Sequence, residues 1–259
     1  MNEHIRIVKI GGNVVDNPQA LSRFLDDFCR MAGPKVLVHG GGKEATRLSA
    51  ALGIETTMIE GRRVTDAATL DIVTMVYAGL INKRIVAALQ ARGIDAVGLC
   101  GADGNLIKAR RRPAQPVDYG FVGDIDPMDV NDFLIARMVR ESQVPVVCAI
   151  THDGEGQLLN CNADSVASAV AIACSRISSA DLIFCFEKPG VLADPDDDSS
   201  VIRQIDSDSF ESLKEEGVIS SGMIPKITGA LRAISSGVSE VYIKSADTLL
   251  QPAGTLICR

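Results

Sequence analysis

The chain has 259 residues, a hydrophobic fraction of 46% and a formal net charge of −7, so it can bury a sizeable core as one large domain or two lobes. The acidic balance argues against nucleic acid or an anionic membrane surface as the main partner. Trp is absent and aromatic residues make up only 4%, so the core must be built from Val, Ile, Leu and Ala, a composition typical of α/β sheets.

Short apolar runs predict strands, and longer stretches with helical periodicity lie between most of them. In chain order the strand runs are IRIVKI, KVLVHG, DAVGLC, VPVVCAI, ADLIFCF and EVYI. The segment KEATRLSAALG places Ala45, Leu48 and Leu52 on one helix face and stops at Gly53, and residues 68–93 show the same period. This alternation predicts an α/β fold, an αβα sandwich with an open, mostly parallel central sheet.

Two stretches interrupt the alternation. The segment 108–127 is punctuated by Pro and Gly and predicts a hairpin or flap. The Asp-Gly pair at 153–154 lies between two short apolar runs and predicts a second hairpin. A new strand–helix set then begins without a flexible linker, so we expect two lobes, 1–178 and 179–259, that share the sheet.

The cysteines, histidines and acidic residues show no pattern of a metal site. Seven Cys occur at irregular spacings without a CxxC pair, and most lie in apolar runs, which predicts buried free thiols in a reducing cytosol. The three His are scattered, and the acidic run 194–200 lacks the ligand spacing of a calcium loop, so we expect a solvated loop there and no bound metal. No signal peptide precedes the first strand and no apolar run reaches membrane-spanning length, so we expect a soluble cytoplasmic protein.

Two glycine-rich turns follow strands, where ligands bind in open parallel sheets. KIGGN carries Lys9 beside Gly11 and Gly12, and VHGGGKEA places glycines 40–42 before a helix. Consecutive glycines let backbone N–H groups approach an anion closely, and a helix N-terminus adds positive charge. A tight strand-to-helix connection would explain either turn alone, but the two turns together with Lys9 favour a phosphate site.

Three named motifs fit the second turn less well. A P-loop reads GxxxxGK[ST], whereas Glu44 follows Lys43 here. The letters HGGG also form the oxyanion loop of esterases, but the chain lacks the GxSxG nucleophile elbow of those enzymes. Gly40, Gly42 and Ala45 match the dinucleotide pattern GxGxxA, a weak signal that keeps an NAD-dependent oxidoreductase as an alternative.

Four further residues could bind or organise an acidic substrate. Arg63 in EGRRVTD can hold a carboxylate, although surface Arg is commoner, and Asn160 lies on one side of an extended segment. Asp164 opens an apolar helix, where it could also be the N-cap, and Lys226 could snorkel to the surface from its own helix. Together with the glycine turns these residues suit phosphoryl transfer, which needs cations, backbone donors and a positioned acceptor.

The set of motifs resembles one family. VKIGGN, VHGGGKEAT, EGRRVTD, LLNCNADSVA and SGMIPKITGAL occur in the order and spacing of the N-acetyl-L-glutamate kinases, within the amino acid kinase (carbamate kinase-like) family. The likeness runs from Ile5 to about Gly254. It implies an ATP-dependent kinase that phosphorylates the γ-carboxylate of N-acetyl-L-glutamate in the second step of arginine biosynthesis, with Mg²⁺ on the ATP phosphates.

The resemblance also implies a role for each matching residue. Lys9 and Lys226 are similar to the pair that stabilises the transition state, and Asp164 is similar to the acidic residue that organises them. Gly12 and Gly41 look like the backbone donors to the phosphoryl oxygens. The implied acyl-glutamate contacts are Gly41, Gly42, Arg63 and Asn160. The implied nucleotide contacts on the C-terminal lobe are Glu187, Lys188, Gly190, Val191, Leu192, Val218, Ile219 and Ser220.

Several points stay open at this level. CFEKPGVL departs from the family's TDVxGVL at Glu187 and Lys188, so the resemblance does not define the adenine and ribose contacts. An N-succinyl-L-glutamate kinase would differ in an acyl pocket that no motif identifies. A non-catalytic sensor of nucleotide or amino acid is less favoured, because a sensor needs no transition-state set. Only residues 1–4 precede the first strand, which leaves no room for the N-terminal helix of arginine-inhibited members, so we expect a homodimer without strong arginine feedback.

Overall fold

The fold is a central sheet between helices, described here from a computed structural model for residues 4–219 and 222–259. The strands, in chain order, are β1 (Ile5–Ile10), β2 (Lys35–His39), β3 (Met58–Ile59), β4 (Arg62–Arg63), β5 (Ala96–Leu99), β6 (Arg110–Arg111), β7 (Gly123–Asp124), β8 (Val144–Cys148), β9 (Ile150–His152), β10 (Leu158–Asn160), β11 (Ala180–Phe186), β12 (Gln204–Ile205), β13 (Glu240–Ser245) and β14 (Thr255–Ile257).

Helices connect most of these strands. They are α1 (Gly12–Val15), α2 (Pro18–Arg30), α3 (Gly42–Ala51), α4 (Ala67–Thr74), α5 (Asn82–Gln90), α6 (Asp132–Arg140), α7 (Ala163–Ser175), α8 (Ser207–Glu215) and α9 (Ile224–Ser235). A π-helical segment, Met75–Ile81, joins α4 to α5, and we call the continuous helix Ala67–Gln90 the long helix.

Eight strands form the central sheet in the order β12-β14-β13-β11-β1-β2-β8-β5. Every pairing in it is parallel except that of β13 with β14. The predicted α/β sandwich with a mostly parallel sheet is therefore confirmed. Strand β1 lies between β11 and β2, so one sheet contains strands from both predicted lobes, while the lobe boundary at residue 178 stays a prediction.

The two interruptions of the α/β pattern are hairpins, as predicted. Strand β6 pairs antiparallel with β7 inside the segment 108–127, and β9 pairs antiparallel with β10 around the Asp-Gly turn. The sequence did not predict β12 or β14, which have only two and three residues, too few for an apolar period to be recognised.

The long helix packs one side on the core and leaves Met75 and Leu80 exposed on the other. Among the described residues it is the one helix with the length and apolar composition of a membrane span. The expectation that no apolar run is this long was therefore wrong. Since 44% of its most apolar stretch is buried inside the protein, and core helices meet the same criterion, the finding is weak evidence for a membrane segment.

All seven cysteines are free thiols, as predicted, but the predicted burial is wrong for Cys29, Cys100 and Cys258, which are only partly buried. Four of them, Cys148, Cys161, Cys174 and Cys185, are buried, and burial raises the pKa of each thiol well above its ordinary value. These thiols are therefore protonated side chains of the core at neutral pH.

Candidate active site

The two glycine turns meet at one edge of the sheet. Strands β1 and β2 are parallel neighbours with Ile10 opposite His39, so Gly11 and Gly12 leave the sheet beside glycines 40–42. Helix α1 begins at Gly12 and α3 at Gly42, directly after the turns. This is the carboxyl edge of the parallel strands, where the sequence predicted an anion site.

Hydrogen bonds fix the second turn with its amides free. The carbonyl of Gly41 accepts from Ala45 N at 3.0 Å, and the carbonyl of Gly42 accepts from Arg63 Nη2 at 2.8 Å. The amide hydrogens of Gly41 and Gly42 have no acceptor within residues 4–219 and 222–259. Both glycines line a cavity, so these amides are available to an anionic ligand.

Lys9 and Lys226 converge on one carboxylate. Lys9 Nζ lies 2.7 Å from Asp164 Oδ1, an ion pair whose angles fall outside hydrogen-bond geometry, and Lys226 Nζ donates to Asp164 Oδ2 at 3.0 Å. The two lysine side chains are only 11% and 16% exposed, so Lys226 does not snorkel to the surface. Residues from β1, α7 and α9 thereby form one cluster that carries a net positive charge.

Asp164 is free for this contact because another residue caps its helix. Asn162 is the N-cap of α7 and accepts from the amides of Asp164 and Ser165, so the N-cap interpretation of Asp164 is wrong. Burial alone would raise the pKa of Asp164, but the charges of Lys9 and Lys226 outweigh it and lower the pKa to about 2. The group is therefore ionised at neutral pH and is a poor proton acceptor.

Two aromatic rings complete the environment of Lys226. Its Nζ lies 5.5 Å from the ring centroids of both Phe184 and Phe186, a distance at which an ammonium is attracted to the ring face. Both rings belong to β11. They hold the ammonium where Asp164 also attracts it.

A first cavity of about 210 Å³ opens between the glycine turns and the β3–β4 ribbon. Its basic lining residues are Lys9, Arg62 and Arg63, and its lining also includes Asn160. This volume is below the 300–1,000 Å³ of common ligand sites, which suits a small acid. The predicted acceptor contacts Gly41, Gly42, Arg63 and Asn160 all line this one cavity.

Arg63 is buried and partly engaged. Its Nη2 donates to the Gly42 carbonyl and to Thr46 Oγ1, each at 2.8 Å, and its Nη1 donates to Thr56 Oγ1 at 3.1 Å. A guanidinium has five N–H donors, so Nε–H and one Nη1–H remain for a ligand. Asn160 donates to Thr65 Oγ1 at 3.0 Å, which leaves its second N–H and its Oδ1 to orient an acceptor.

A second cavity of about 770 Å³ adjoins the first and shares Lys9 and Arg63 with it. Lys43, Arg47 and Lys226 add three further cations, whereas Glu187 is the one acidic residue among the described residues that line it. In a chain with a net charge of −7, this concentration of positive charge indicates an anionic ligand. The cluster of Lys9 and Lys226 therefore lies between a small-acid cavity and a larger anion cavity.

Of the described residues predicted to bind the nucleotide, only Glu187 lines one of the two cavities. Glu187 lines the second cavity and accepts a hydrogen bond from Asn13. Lys188 instead pairs with Asp198 at 2.9 Å, and Val191 is buried with its N–H on Thr255 Oγ1. The remaining described residues of this set, which line neither cavity, are Gly190, Leu192, Val218 and Ile219. Ser220 lies outside the described residues, and the nucleotide role of the whole set stays a prediction.

Sequence reasoning missed several residues that line the cavities. Lys43 and Arg47 are four residues apart on α3, a spacing that places both on one helix face and could have indicated their common site. Tyr77 lines the first cavity from the π-helical segment, where a regular helical period does not predict its direction. No cluster of three or more His, Cys, Asp or Glu suited to a metal ion occurs in the part of the chain that the structure describes.

The comparison with known proteins agrees with this geometry. Residues 4–245 match the family model "Amino acid kinase family". A protein of Bacteroides fragilis named acetylglutamate kinase is 49% identical over 257 residues, which cover 99% of this chain and 98% of that protein.

Solved structures share the fold. The protein smu.665 of Streptococcus mutans superimposes with a TM-score of 0.82 at 29% identity and covers 98% of each chain. Carbamate kinase of Giardia lamblia, solved bound to AMP-PNP, superimposes with a TM-score of 0.67 at 16% identity and covers 100% of this chain and 99% of its own. At that identity the second likeness concerns the fold alone.

Proposed function

Since the chain belongs to the amino acid kinase family, we propose that it transfers the γ-phosphoryl group of ATP to the γ-carboxylate of N-acetyl-L-glutamate. The observation that carries this proposal is the convergence of Lys9 and Lys226 on Asp164, between a small-acid cavity and a larger cationic cavity. The name and the near full-length identity of the Bacteroides relative support the same reaction. The product is an acyl phosphate and ADP.

The chemistry needs charge compensation more than proton transfer. A carboxylate oxygen of the acceptor attacks the γ-phosphorus, a new O–P bond forms, and the bond from that phosphorus to the β–γ bridging oxygen breaks. Because a carboxylate is already ionised at neutral pH, no general base is needed. The low pKa of Asp164 agrees, since this residue can organise the two ammonium groups but does not take up a proton.

Different residues of the site compensate charge, bind the acceptor and bind the nucleotide. Lys9 and Lys226 offset the negative charge on the transferring group, while the amides of Gly12 and Gly41 donate to its oxygens. Gly42, Arg63 and Asn160 hold the acceptor in the first cavity. The nucleotide lies along the C-terminal strands with its phosphates in the second cavity, and Mg²⁺ arrives on those phosphates as part of the substrate.

The wider biological setting follows from the same proposal. Acyl-phosphate formation on N-acetyl-L-glutamate is the second step of arginine biosynthesis, which takes place in the cytoplasm. We also expect a homodimer, because Met75 and Leu80 present apolar side chains, 54% and 37% exposed, on the long helix.

Hydroxylamine trapping tests the reaction directly. The protein is incubated with MgATP and N-acetyl-L-glutamate, and hydroxamate from the acyl phosphate is measured beside ADP formation. We expect hydroxamate and ADP in equal amounts. ATP that binds tightly without turnover of any acid would contradict the proposal and favour a sensor.

The choice of acids makes the assay specific. N-succinyl-L-glutamate tests the larger acyl group, and N-acetyl-L-aspartate tests a carboxylate one methylene shorter. We expect N-acetyl-L-glutamate to give the highest kcat/KM. A signal from the succinyl acid alone would overturn the assignment of the acceptor while leaving the chemistry unchanged.

A further inference from the structure

His39 is a buried imidazole beside the second glycine turn, and the reaction described above does not use it. It ends β2 and is fully buried. Both ring nitrogens have polar contacts: Nδ1 lies 2.9 Å from the carbonyl oxygen of Gly40, and Nε2 lies 3.1 Å from Nδ2 of Asn82.

Asn82 determines which ring nitrogen carries the proton. Its Nδ2 is a donor only, and it donates one hydrogen to the Val146 carbonyl at 2.9 Å and directs the other to His39 Nε2. Nε2 therefore accepts, so the neutral ring carries its proton on Nδ1 and donates to Gly40 O. Burial lowers the pKa of His39 to about 4, with a smaller contribution from Lys83, so the ring is neutral at physiological pH.

Asn82 is itself held in one orientation. Lys83 Nζ donates to Asn82 Oδ1 at 3.0 Å and to the Gly98 carbonyl at 3.2 Å, which keeps Nδ2 towards His39. Strand β5 has a glycine at position 98, where a Cβ would lie 2.0 Å from Asn82 Oδ1. The hydrogen-bonded chain from the exposed Lys83 through the buried Asn82 to the buried His39 thus ends on one carbonyl of the glycine turn.

We propose that His39 is a positioning residue that turns the Gly41 amide towards the transferring phosphoryl group. The carbonyl of Gly40 and the N–H of Gly41 belong to one planar trans peptide and point in opposite directions. A donor that holds Gly40 O on the protein side therefore directs the Gly41 N–H to the other side, where Gly41 lines the first cavity. The inference rests on the proposed function, in which this amide binds a phosphoryl oxygen.

A matched pair of variants separates positioning from packing. In His39→Asn the side-chain nitrogen replaces Nδ1 and can still donate to Gly40 O, whereas in His39→Gln the terminal amide replaces Nε2 and no donor remains near Gly40. Both variants remove the imidazole ring from the same buried site, so a purely structural role would harm both to a similar extent.

The kinetic result should differ between the two. We expect His39→Gln to lower kcat by roughly 10- to 100-fold, somewhat less than the 10²- to 10³-fold cost of deleting an oxyanion donor, with little change in the KM for ATP. His39→Asn should stay within about threefold of the parent, because the hydrogen bond to Gly40 is retained. An equal decrease of kcat in both variants, or a rise in the KM for ATP without a change in kcat, would overturn the proposal.

The tautomer can be measured without any variant of uncertain folding. Nitrogen-15 spectra of the histidine-labelled wild-type protein distinguish protonated from bare ring nitrogens, and the chain has only three His to assign. We expect the proton of His39 on Nδ1, and a proton on Nε2 would contradict the inference. These outcomes are distinct from failure of the proposed function, which would appear as a wild-type protein that forms no acyl phosphate.

Discussion

At the scale of single residues, Asp164 explains why two lysines can lie close together with little exposure. Its two oxygens each face one ammonium, at 2.7 Å and 3.0 Å, so like charges share one counter-ion. Removal of the carboxylate would leave two poorly solvated cations, a change that costs several kcal/mol in comparable buried pairs. The residue therefore contributes both to stability and to the position of the cations.

The stability that Asp164 provides should depend on pH. Its pKa in the folded protein is about 2, below the ordinary value of 3.8, so the contribution is present above pH 4 and is lost as the pH falls through 2. We measure the free energy of unfolding by denaturant for wild type and for Asp164→Asn. We expect the difference between the two proteins to shrink by roughly 2 kcal/mol as the pH falls from about 4 to about 2. Asp71→Asn, at an exposed carboxylate on the long helix, is the control, and an equal pH trend there would contradict the prediction.

The sequence predicted the cluster because its parts follow simple rules. Lys9 stands at the end of a central strand, and ends of neighbouring parallel strands share one edge. The N-cap role of Asp164 could not be decided from sequence, since Asn162 and Asp164 are both good capping residues. The hydrogen bonds from Arg63 to the Gly42 carbonyl and to Thr46 Oγ1 could not be predicted either, because they join residues that are far apart in the sequence.

At the scale of elements, the π-helical segment changes the direction of the side chains in the long helix. The apolar period over 68–93 predicted a regular helix, and a 3.6-residue period does not reveal a wider turn. In the structure this segment brings Tyr77 and Ile81 against Gly41. A Cβ at position 41 would lie 2.3 Å from Ile81 Cδ1, so only glycine fits at this helix–turn contact.

Alanine substitution at Gly41 tests its close contact with Ile81 of the long helix. Gly41→Ala must displace Ile81 or the turn, and we expect it to lower the free energy of unfolding by about 1–3 kcal/mol and to reduce kcat. The control is Gly79→Ala in the same segment, where nothing lies within 4 Å of the added Cβ. That change should be neutral or stabilising by up to about 1 kcal/mol, as for Gly to Ala in a helix. An equal decrease in the free energy of unfolding of both variants, measured with urea, would contradict the close packing of Gly41 against the long helix.

At the scale of the whole molecule, one sheet carries both halves of the site. Lys9 comes from β1 in the middle of the sheet, while Lys226 comes from α9 in the C-terminal part. The alternation of strands and helices predicted this arrangement. The nucleotide contacts could not be derived in the same way, because Glu187 and Lys188 depart from the family pattern and their partners, Asn13 and Asp198, belong to other segments.

The expected homodimer is a prediction at this scale. Light scattering after size exclusion should give twice the mass of one chain. The double variant Met75→Lys with Leu80→Lys should shift the mass towards one chain, because two charges would be buried in an apolar contact. Ile177→Lys is the matched control, since Ile177 is also exposed, at 42%, but lies in the turn that follows α7. A monomeric wild type, or a double variant that stays dimeric, would contradict this interface.

The kinetics of Lys9→Ala and Lys226→Ala test most directly whether the two ammonium groups stabilise the transferring phosphoryl group. We expect each change to lower kcat by roughly 10²- to 10³-fold and to change the KM for the acceptor much less, because the charge is needed mainly in the transition state. Lys214→Ala, at a surface lysine paired with Glu211, should keep the wild-type rate. Near-normal kcat in the Lys9 and Lys226 variants would contradict the account.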